Sequence, residues 1–490
     1  MHSKPLQHII IVGGGSAGWM SANLLAQQWC KLGTKITVIE SSDIGIIGVG
    51  EGSTPYLRDF FQRLGISEQE WMPACNASYK CGIRFPAWST VAGYEEYVHP
   101  FFYQQDLDIG SAFFDNARLR RRGIDAPANP QDFFIAAELA RQKKAPRYLP
   151  RPDHRATPAA DYAYHFDAGL LGSFLKSHAE KLGVAHHIGT VKEVQLQENG
   201  DIKQLLMNEG NIIEGDFFID CSGFSGLLIN QALGEPFISY KENLFNDRAI
   251  AIPTELDPAQ DIPSETTSIA LKHGWAWQIP LSSRFGNGYV YSSAFVTSEQ
   301  AEQELRQHLG ASAEGKDARH LQMRVGRVEK HWRNNCLAIG LSQGFIEPLE
   351  ATALMLIQLS LTHFIDAVTQ GKTSPADQAT FNHRINQMFE GVRDYVVAHY
   401  QLNTRQDSPY WKENRTNKNI STCLASLIEV WDGGGDFEAE LTRLGDQLMY
   451  SRASWYCLFA GMGRFPSTLK SASQHQHPMS RNYARQAIAT

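Results

Sequence analysis

The sequence predicts an α/β fold in which a parallel sheet is interrupted by an antiparallel insert and followed by helices. Three observations carry this. Ile10-Ile11-Val12 is a short apolar run that breaks into Gly13-Gly14-Gly15-Ser16-Ala17-Gly18 and continues as an apolar-rich segment to Trp29. Residues 248–329 alternate apolar and polar side chains between turn signals, the period of half-buried antiparallel strands. Residues 366–465 read as helices. The 490-residue chain, 43% hydrophobic and 20% charged, is long enough for two or three domains with substantial cores.

The first unit is the most specific. Gly13 permits a tight turn, Gly15 lets a pyrophosphate approach the backbone, and Gly18 lets helix pack on strand. The helix entered at Ser16 and Ala17 points its first amides and its positive dipole end at the phosphates. A second strand, Lys35 to Ile39, ends at Glu40, at the spacing of the acid that accepts a ribose hydroxyl. Such a glycine pattern alone is weak evidence, since Gly-rich turns are common. Strand, glycines, helix, strand and acid in order make it a dinucleotide site.

Further along, Gly48-Val49-Gly50-Glu51-Gly52-Ser53 is too glycine-rich for a helix or central strand and is expected as a loop near the cofactor. A helical pattern covers Tyr56 to Trp71. Lys80 follows among apolar neighbours, and taken alone it reads as a snorkelling surface lysine. Residues 89–155 are rich in Pro, Arg and aromatics without sustained periodicity, which predicts an irregular excursion. Its basic run, Arg118 to Arg122, lacks interleaved aromatics and reads as a solvated loop, not a nucleic-acid patch.

Strand, helix and strand signals resume from Tyr162 through Ile188, with two more strand-like runs before Phe217-Phe218-Ile219-Asp220-Cys221-Ser222-Gly223. That last strand runs into a small-residue turn of the kind that touches cofactors in open α/β sheets. Within the alternating region, Phe285-Gly286-Asn287-Gly288 reads as a turn, and Trp275 and Trp277 in Gly274-Trp275-Ala276-Trp277-Gln278-Ile279-Pro280 share one strand face. A pair of core or edge aromatics is the plain reading of the latter. Cys336 to Gly340 is another strand of the first sheet. Glu350 then precedes an apolar helix, whose first amides at Thr352 and Ala353 can bind an anion. The competing role for Glu350 is to cap that helix, worth about 1 kcal/mol.

Composition excludes other classes. Seven cysteines, with no Cys-x-x-Cys pair, indicate reduced thiols instead of a disulfide framework or zinc site, so no metal is expected. No signal-like N-terminus and no membrane-length apolar run are evident, so a cytoplasmic protein is expected. A net charge of -7 argues against nucleic acid as a partner.

Together these segments resemble the flavin-dependent halogenases of the tryptophan-halogenase type. The Gly13 to Trp19 segment is similar to the family's FAD motif, and Gly274 to Pro280 to its Gly-Trp-x-Trp-x-Ile-Pro signature, which general flavin hydroxylases lack. Val49-Gly50-Glu51, Tyr164-His165-Phe166-Asp167 and Phe345 to Glu350 are also similar to family segments, in the family's order.

The resemblance implies a fold with three parts: a FAD-binding Rossmann-like domain of the hydroxylase type (residues 1–60, 156–235 and 330–365), an inserted substrate-side domain built on an antiparallel sheet (61–155 and 236–329), and a helical C-terminal region (366–465). A poorly ordered tail, 466–490, would follow. It places catalysis on Lys80 and Glu350, cofactor contacts on Gly13, Gly15, Ser16, Ala17, Gly18, Glu40, Val49, Gly50 and Gly340, and halide contacts on the Thr352 and Ala353 amides. Substrate contacts fall to His99, Phe101, Trp275 and Trp277. Reduced FAD would come from a separate NAD(P)H-dependent flavin reductase. Through a C4a-hydroperoxide it would yield hypohalous acid, which is relayed to Lys80. A small aromatic substrate and a homodimer complete the expected partners, with no membrane.

The chain also departs from the family pattern. Ala351-Thr352-Ala353 stands where the family usually has Ser-Thr-Gly, and no amino-acid-gripping set is recognisable around Leu448 to Trp455. Bromide and an indole-type ring are therefore expected over chloride and tryptophan. The competing classes are a single-component FAD-dependent aromatic hydroxylase and a non-catalytic flavin-binding redox protein.

Overall fold

The computed structural model describes residues 6–42, 50–104, 106–147, 161–468 and 470–471. It is an α/β structure with several sheets and many helices towards the C-terminus. The chain forms two units, each assembled from three separate stretches.

The first unit takes Met1–Ala77, Phe166–Lys241 and Arg324–Glu390. Its main sheet runs, edge to edge, Trp332–Arg333, Cys336–Ala338, Phe217–Asp220, His8–Val12, Lys35–Glu40 and Ala185–Ile188. All neighbours are parallel except the first pair. Parallel strands are covered on both faces, so they need continuous apolar runs, and Ile9, Ile10 and Ile11 are fully buried. Helix Ser16–Trp29 is tied to helix Ala168–Lys181 by Asn23, whose amide donates to the Leu175 carbonyl at 2.8 Å. Asp167 caps the second helix by accepting from the Gly169 and Leu170 amides. The runs after Ile188 form a separate three-stranded meander, Val191–Leu196, Ile202–Met207 and Ile212–Glu214.

Asp220 organises the end of the sheet. Its buried carboxylate accepts from the Ser222 amide and hydroxyl, the Ser342 hydroxyl, and the Leu228 and Ile229 amides, at 2.6 to 3.0 Å. It thereby ties the turn after its own strand to the turn at Gly340–Ser342. One expectation is corrected here: Gly50–Gly52 is a short strand, not a loop. Gly48 and Val49 lie outside the described residues.

The second unit takes Ser78–His165, Glu242–Met323 and Gly391–Thr490. Its seven-stranded sheet runs Arg319–Gln322, Arg248–Glu255, Arg284–Tyr291, Gly274–Pro280, Glu265–Ala270, Gly82–Pro86 and Glu96–Pro100. Only the pairing of Glu265–Ala270 with Gly82–Pro86 is parallel. Helix Ser298–Leu309, opened by a capping box at Thr297, buries Ala301 and Leu305 against Ile250, Ile252, Ala276, Tyr289 and Tyr291 on one face. Alternation then sends Trp275 and Trp277 to the other face.

Two expectations fail in this unit. Phe285 to Gly288 is not a turn but the middle of a strand, with Gly286 opposite Ile279 and Gly288 opposite Trp277. The turn lies earlier, where the Leu281 amide donates to the Arg284 carbonyl. The described part of residues 89–155, which ends at 147, is not irregular either, since it holds strand Glu96–Pro100 and helices Asp106–Arg121 and Ile135–Arg141. The basic run is the end of the first helix, where cations meet the negative end of the dipole. Arg121 is buried, donating to the carbonyls of Val430, Trp431 and Gly435, with its guanidinium 4.6 Å from the Trp431 ring centroid.

Candidate active site

The cofactor end belongs to the first unit. Gly13 has φ +120°, and a Cβ there would collide with the Cys221 carbonyl, while one on Gly18 would collide with the Gly13 carbonyl. Gly15 caps helix Ser16–Trp29, and a Cβ built on it meets nothing within 4 Å. That leaves open ground beside the first amides of the helix. Gly340, at φ +72°, approaches Ala17 so closely that its Cβ would lie 2.6 Å from the alanine's. Gly14, which the fingerprint leaves free, is constrained as well, because a Cβ on it would collide with the Glu40 carboxyl group. His186 Nε2 lies 2.9 Å from that carboxylate. An open floor at Gly15, a wall cleared of side chains at Gly340, and an acid at the end of the second strand fit a dinucleotide such as FAD. Asp220, by contrast, spends its carboxylate inside the fold.

Glu350 and the expected halide amides lie in the same unit. Glu350 ends a 3-10 turn, Pro348–Glu350, and is 4% exposed. Ala351 follows at φ +56°, a left-handed conformation that costs an alanine about 1 kcal/mol or more. Thr352 is the N-cap of helix Ala353–Thr369 and makes no side-chain cap bond. The capping role for Glu350 is therefore overturned, since the cap position lies two residues further on. Gly340 stands beside this helix, its Cβ position 3.8 Å from Ile357 Cδ1.

Lys80 lies in the second unit and is fully buried, so its reading as a snorkelling surface lysine fails. Strand Ser78–Lys80 pairs antiparallel with strand Ala163–Asp167, Lys80 opposite Ala163 and Ser78 opposite His165. Just beyond, Gly82 permits a close crossing, since a Cβ there would lie 2.5 Å from the His99 carbonyl. The Phe101 amide donates to the Cys81 carbonyl at 2.8 Å. The crossing brings the Phe101 ring centroid to 5.6 Å from the Lys80 Nζ, within cation–π range. His99 is buried, its ring 5.7 Å from Tyr395 and 6.3 Å from Tyr450. Those two tyrosines stack at 3.6 Å.

Lys80 and Phe101 are thus brought together, while the His99 ring stands against Tyr395 and Tyr450, two residues that the sequence reading did not single out. Trp275 and Trp277 are buried, their rings 6.2 Å apart. The tryptophan motif ends at Pro280, whose carbonyl accepts from the Ser78 hydroxyl at 2.5 Å. That point lies three residues, about 10 Å, along the strand from Trp277. His165 is buried between Ser78 Oγ, 3.1 Å from its Nδ1, and Thr266 Oγ1, 2.9 Å from its Nε2. Burial first, and the Lys80 charge second, hold its imidazole well below the usual histidine range.

The family model for tryptophan halogenases matches residues 8–478. The chain belongs to that family. This flavin-dependent halogenase is 38% identical over 454 residues to the tryptophan 6-halogenase SttH of Streptomyces toxytricini, covering 88% of this chain and 85% of that one. It is 34% identical over 500 residues to the tryptophan 7-halogenase RebH of Lentzea aerocolonigenes, covering 95% and 91%. Among solved structures, a tryptophan C-6 flavin-dependent halogenase (chlorinase) from taromycin biosynthesis superposes with a TM-score of 0.84 at 34% identity, covering 98% of this chain and 95% of that one. These matches favour the halogenase over the hydroxylase and the non-catalytic flavoprotein. Among the described residues no helix is long and apolar enough to cross a membrane, and all seven cysteines are free thiols.

Proposed function

We propose that this halogenase brominates a free, electron-rich aromatic of the indole type, and chlorinates it less readily. The observation that carries this reading is Lys80, a wholly buried amine held against the Phe101 ring. A lysine so enclosed is ill placed for a surface role and well placed to meet a small oxidant next to an aromatic substrate.

In this reading Gly13, Gly15, Ser16, Ala17, Gly18, Glu40, Gly50 and Gly340 hold FAD. When bound in its reduced form, delivered by a separate NAD(P)H-dependent reductase, FAD supplies the electrons with which dioxygen oxidises halide. The Lys80 amine receives the oxidised halogen, by hydrogen bonding to hypohalous acid or by transient N-halogenation. Glu350 takes the proton that the ring releases after halogen addition. Trp275 and Trp277 contribute aromatic surface on the substrate side.

Halide preference follows from the residues around Thr352. Ala351 and Ala353 offer no hydroxyl, so the anion relies on backbone amides. Bromide, easier to strip of water and to oxidise, suffers less from that loss than chloride does. A second reading, tryptophan itself, draws on Tyr450, which stacks on Tyr395 beside His99 within the stretch where the family grips an amino-acid tail.

One vessel separates the two readings. Reduced FAD, oxygen, equal chloride and bromide, and equal indole and tryptophan are supplied, and products are identified by mass spectrometry. Bromoindole substituted at the ring's own most nucleophilic carbon is expected. Predominant chlorination of tryptophan at one benzo-ring position would overturn the proposal.

A further inference from the structure

The strand that carries Lys80 is held by a chain of three hydrogen bonds whose directions are forced. The Ser78 hydroxyl has one proton, and at 2.5 Å it is donated to the Pro280 carbonyl. Its oxygen is then left to accept from His165 Nδ1 at 3.1 Å. With that proton on Nδ1, Nε2 of the neutral ring accepts from the Thr266 hydroxyl at 2.9 Å. Ser78 and His165 face each other directly across the strand pair, and Lys80, two residues beyond Ser78, projects from the same face. Opposite the lysine stands only the methyl group of Ala163, which leaves room for its alkyl chain.

We propose that His165 is the positioning residue of Lys80: by bridging Ser78 and Thr266 it locks the strand on which the lysine rides, and so sets where Nζ meets the oxidised halogen. This rests on the reading of Lys80 as the group that receives the halogen. The chain of bonds joins four segments that are distant in sequence, one of them the end of the tryptophan motif, and it reaches the lysine's strand at Ser78, two residues from Lys80. It does so with a neutral ring, so no second cation competes with the lysine for an anion or a proton. Loosening the bridge lets the lysine wander, and halogen that it fails to capture escapes as free hypohalous acid.

The test uses the complete enzyme with reduced FAD, oxygen, bromide and indole, and reads kcat, KM for indole and the hypobromous acid trapped by an added thiol. His165→Leu removes the bridge, and a displacement of the order of 1 Å is expected to lower kcat about ten- to a hundredfold. KM should stay within about twofold, while trapped oxidant rises. His165→Asn, whose amide nitrogen sits where Nδ1 was and can still donate to Ser78, should recover most of the loss. A merely structural histidine predicts no such rescue and no rise in escaped oxidant.

If His165→Leu fails to fold, Ser78→Ala carries the test, because it cuts the chain at the link nearest the lysine and should move kcat and trapped oxidant in the same directions. Unchanged kcat and unchanged trapping in either variant would overturn the inference. Lys80→Ala, run alongside, keeps the two readings apart. If it abolishes bromoindole while His165→Leu and Ser78→Ala behave as wild type, only the positioning role falls. If it leaves bromoindole unchanged, both fall.

Discussion

The indole of Trp277 lies over Gly288, its direct partner on the neighbouring strand, so closely that a Cβ on the glycine would collide with the ring's Cζ2 and Cη2. The glycine is therefore a seat for the tryptophan. Gly288→Ala should displace the ring at a cost of about 1 to 3 kcal/mol, the range for overpacking, read as a fall in Tm. In Trp277→Ala the seat is vacant, so adding Gly288→Ala should cost much less there. Additive losses in the double-mutant cycle would show that the two residues do not interact.

Lys80→Met keeps the buried volume and removes the amine. The variant should fold with unchanged or raised Tm, because a buried charge is replaced by an apolar group. It should still bind FAD and consume reduced flavin, yet form no halogenated product. Product formation near the wild-type rate would remove Lys80 from the chemistry.

Glu350→Gln should lower halogenation about a hundredfold or more, the scale of losing a general base. Its Tm should hold, since the helix cap falls on Thr352. A variant with a lowered Tm and intact turnover would mean that the carboxylate serves the fold alone.

Glu51 has its carboxyl pushed up to about 7, by burial first and by the Asp167 charge second. A native-state pKa above the unfolded value means that the folded protein binds the proton more tightly. The group therefore costs stability as pH rises from about 4.5 to about 7, and the full cost is present above that window. Glu51→Gln should raise the Tm of the apoprotein at pH 8 while changing it little at pH 4.5, a difference of about 3 kcal/mol. Equal shifts at both pH values would show that its ionisation is not coupled to folding.

What the sequence disclosed was whatever a local pattern can encode. Gly13, Gly15 and Gly18 carry their reason in their spacing, and the strand-helix-strand unit around them stands where periodicity predicts it. Lys80 did not disclose its burial, because the Gly82 crossing and the facing Ala163 are set by strand pairing. Gly288 misled for a related reason. A glycine inside a strand and a glycine in a turn look alike until the ring that needs the space is known to lie opposite. The bridge at His165 joins Ser78, 87 positions away, and Thr266, 101 positions away, and no window along the chain contains all three. Arg121 was misread because the side chains around it give no sign of the carbonyls it serves.

Arg121 also sets an order of events during synthesis. The carbonyl of Val430 that it holds is made 309 residues later, about 15 to 60 seconds at typical translation rates. Through that interval none of the carbonyls that the guanidinium serves has been made. The end of helix Asp106–Arg121 and the turn from Val430 to Gly435 can therefore be sealed only after most of the chain has left the ribosome. A nascent chain stalled before that turn would expose the arginine-rich helix end, because the carbonyls and the Trp431 ring that cover Arg121 would not yet exist.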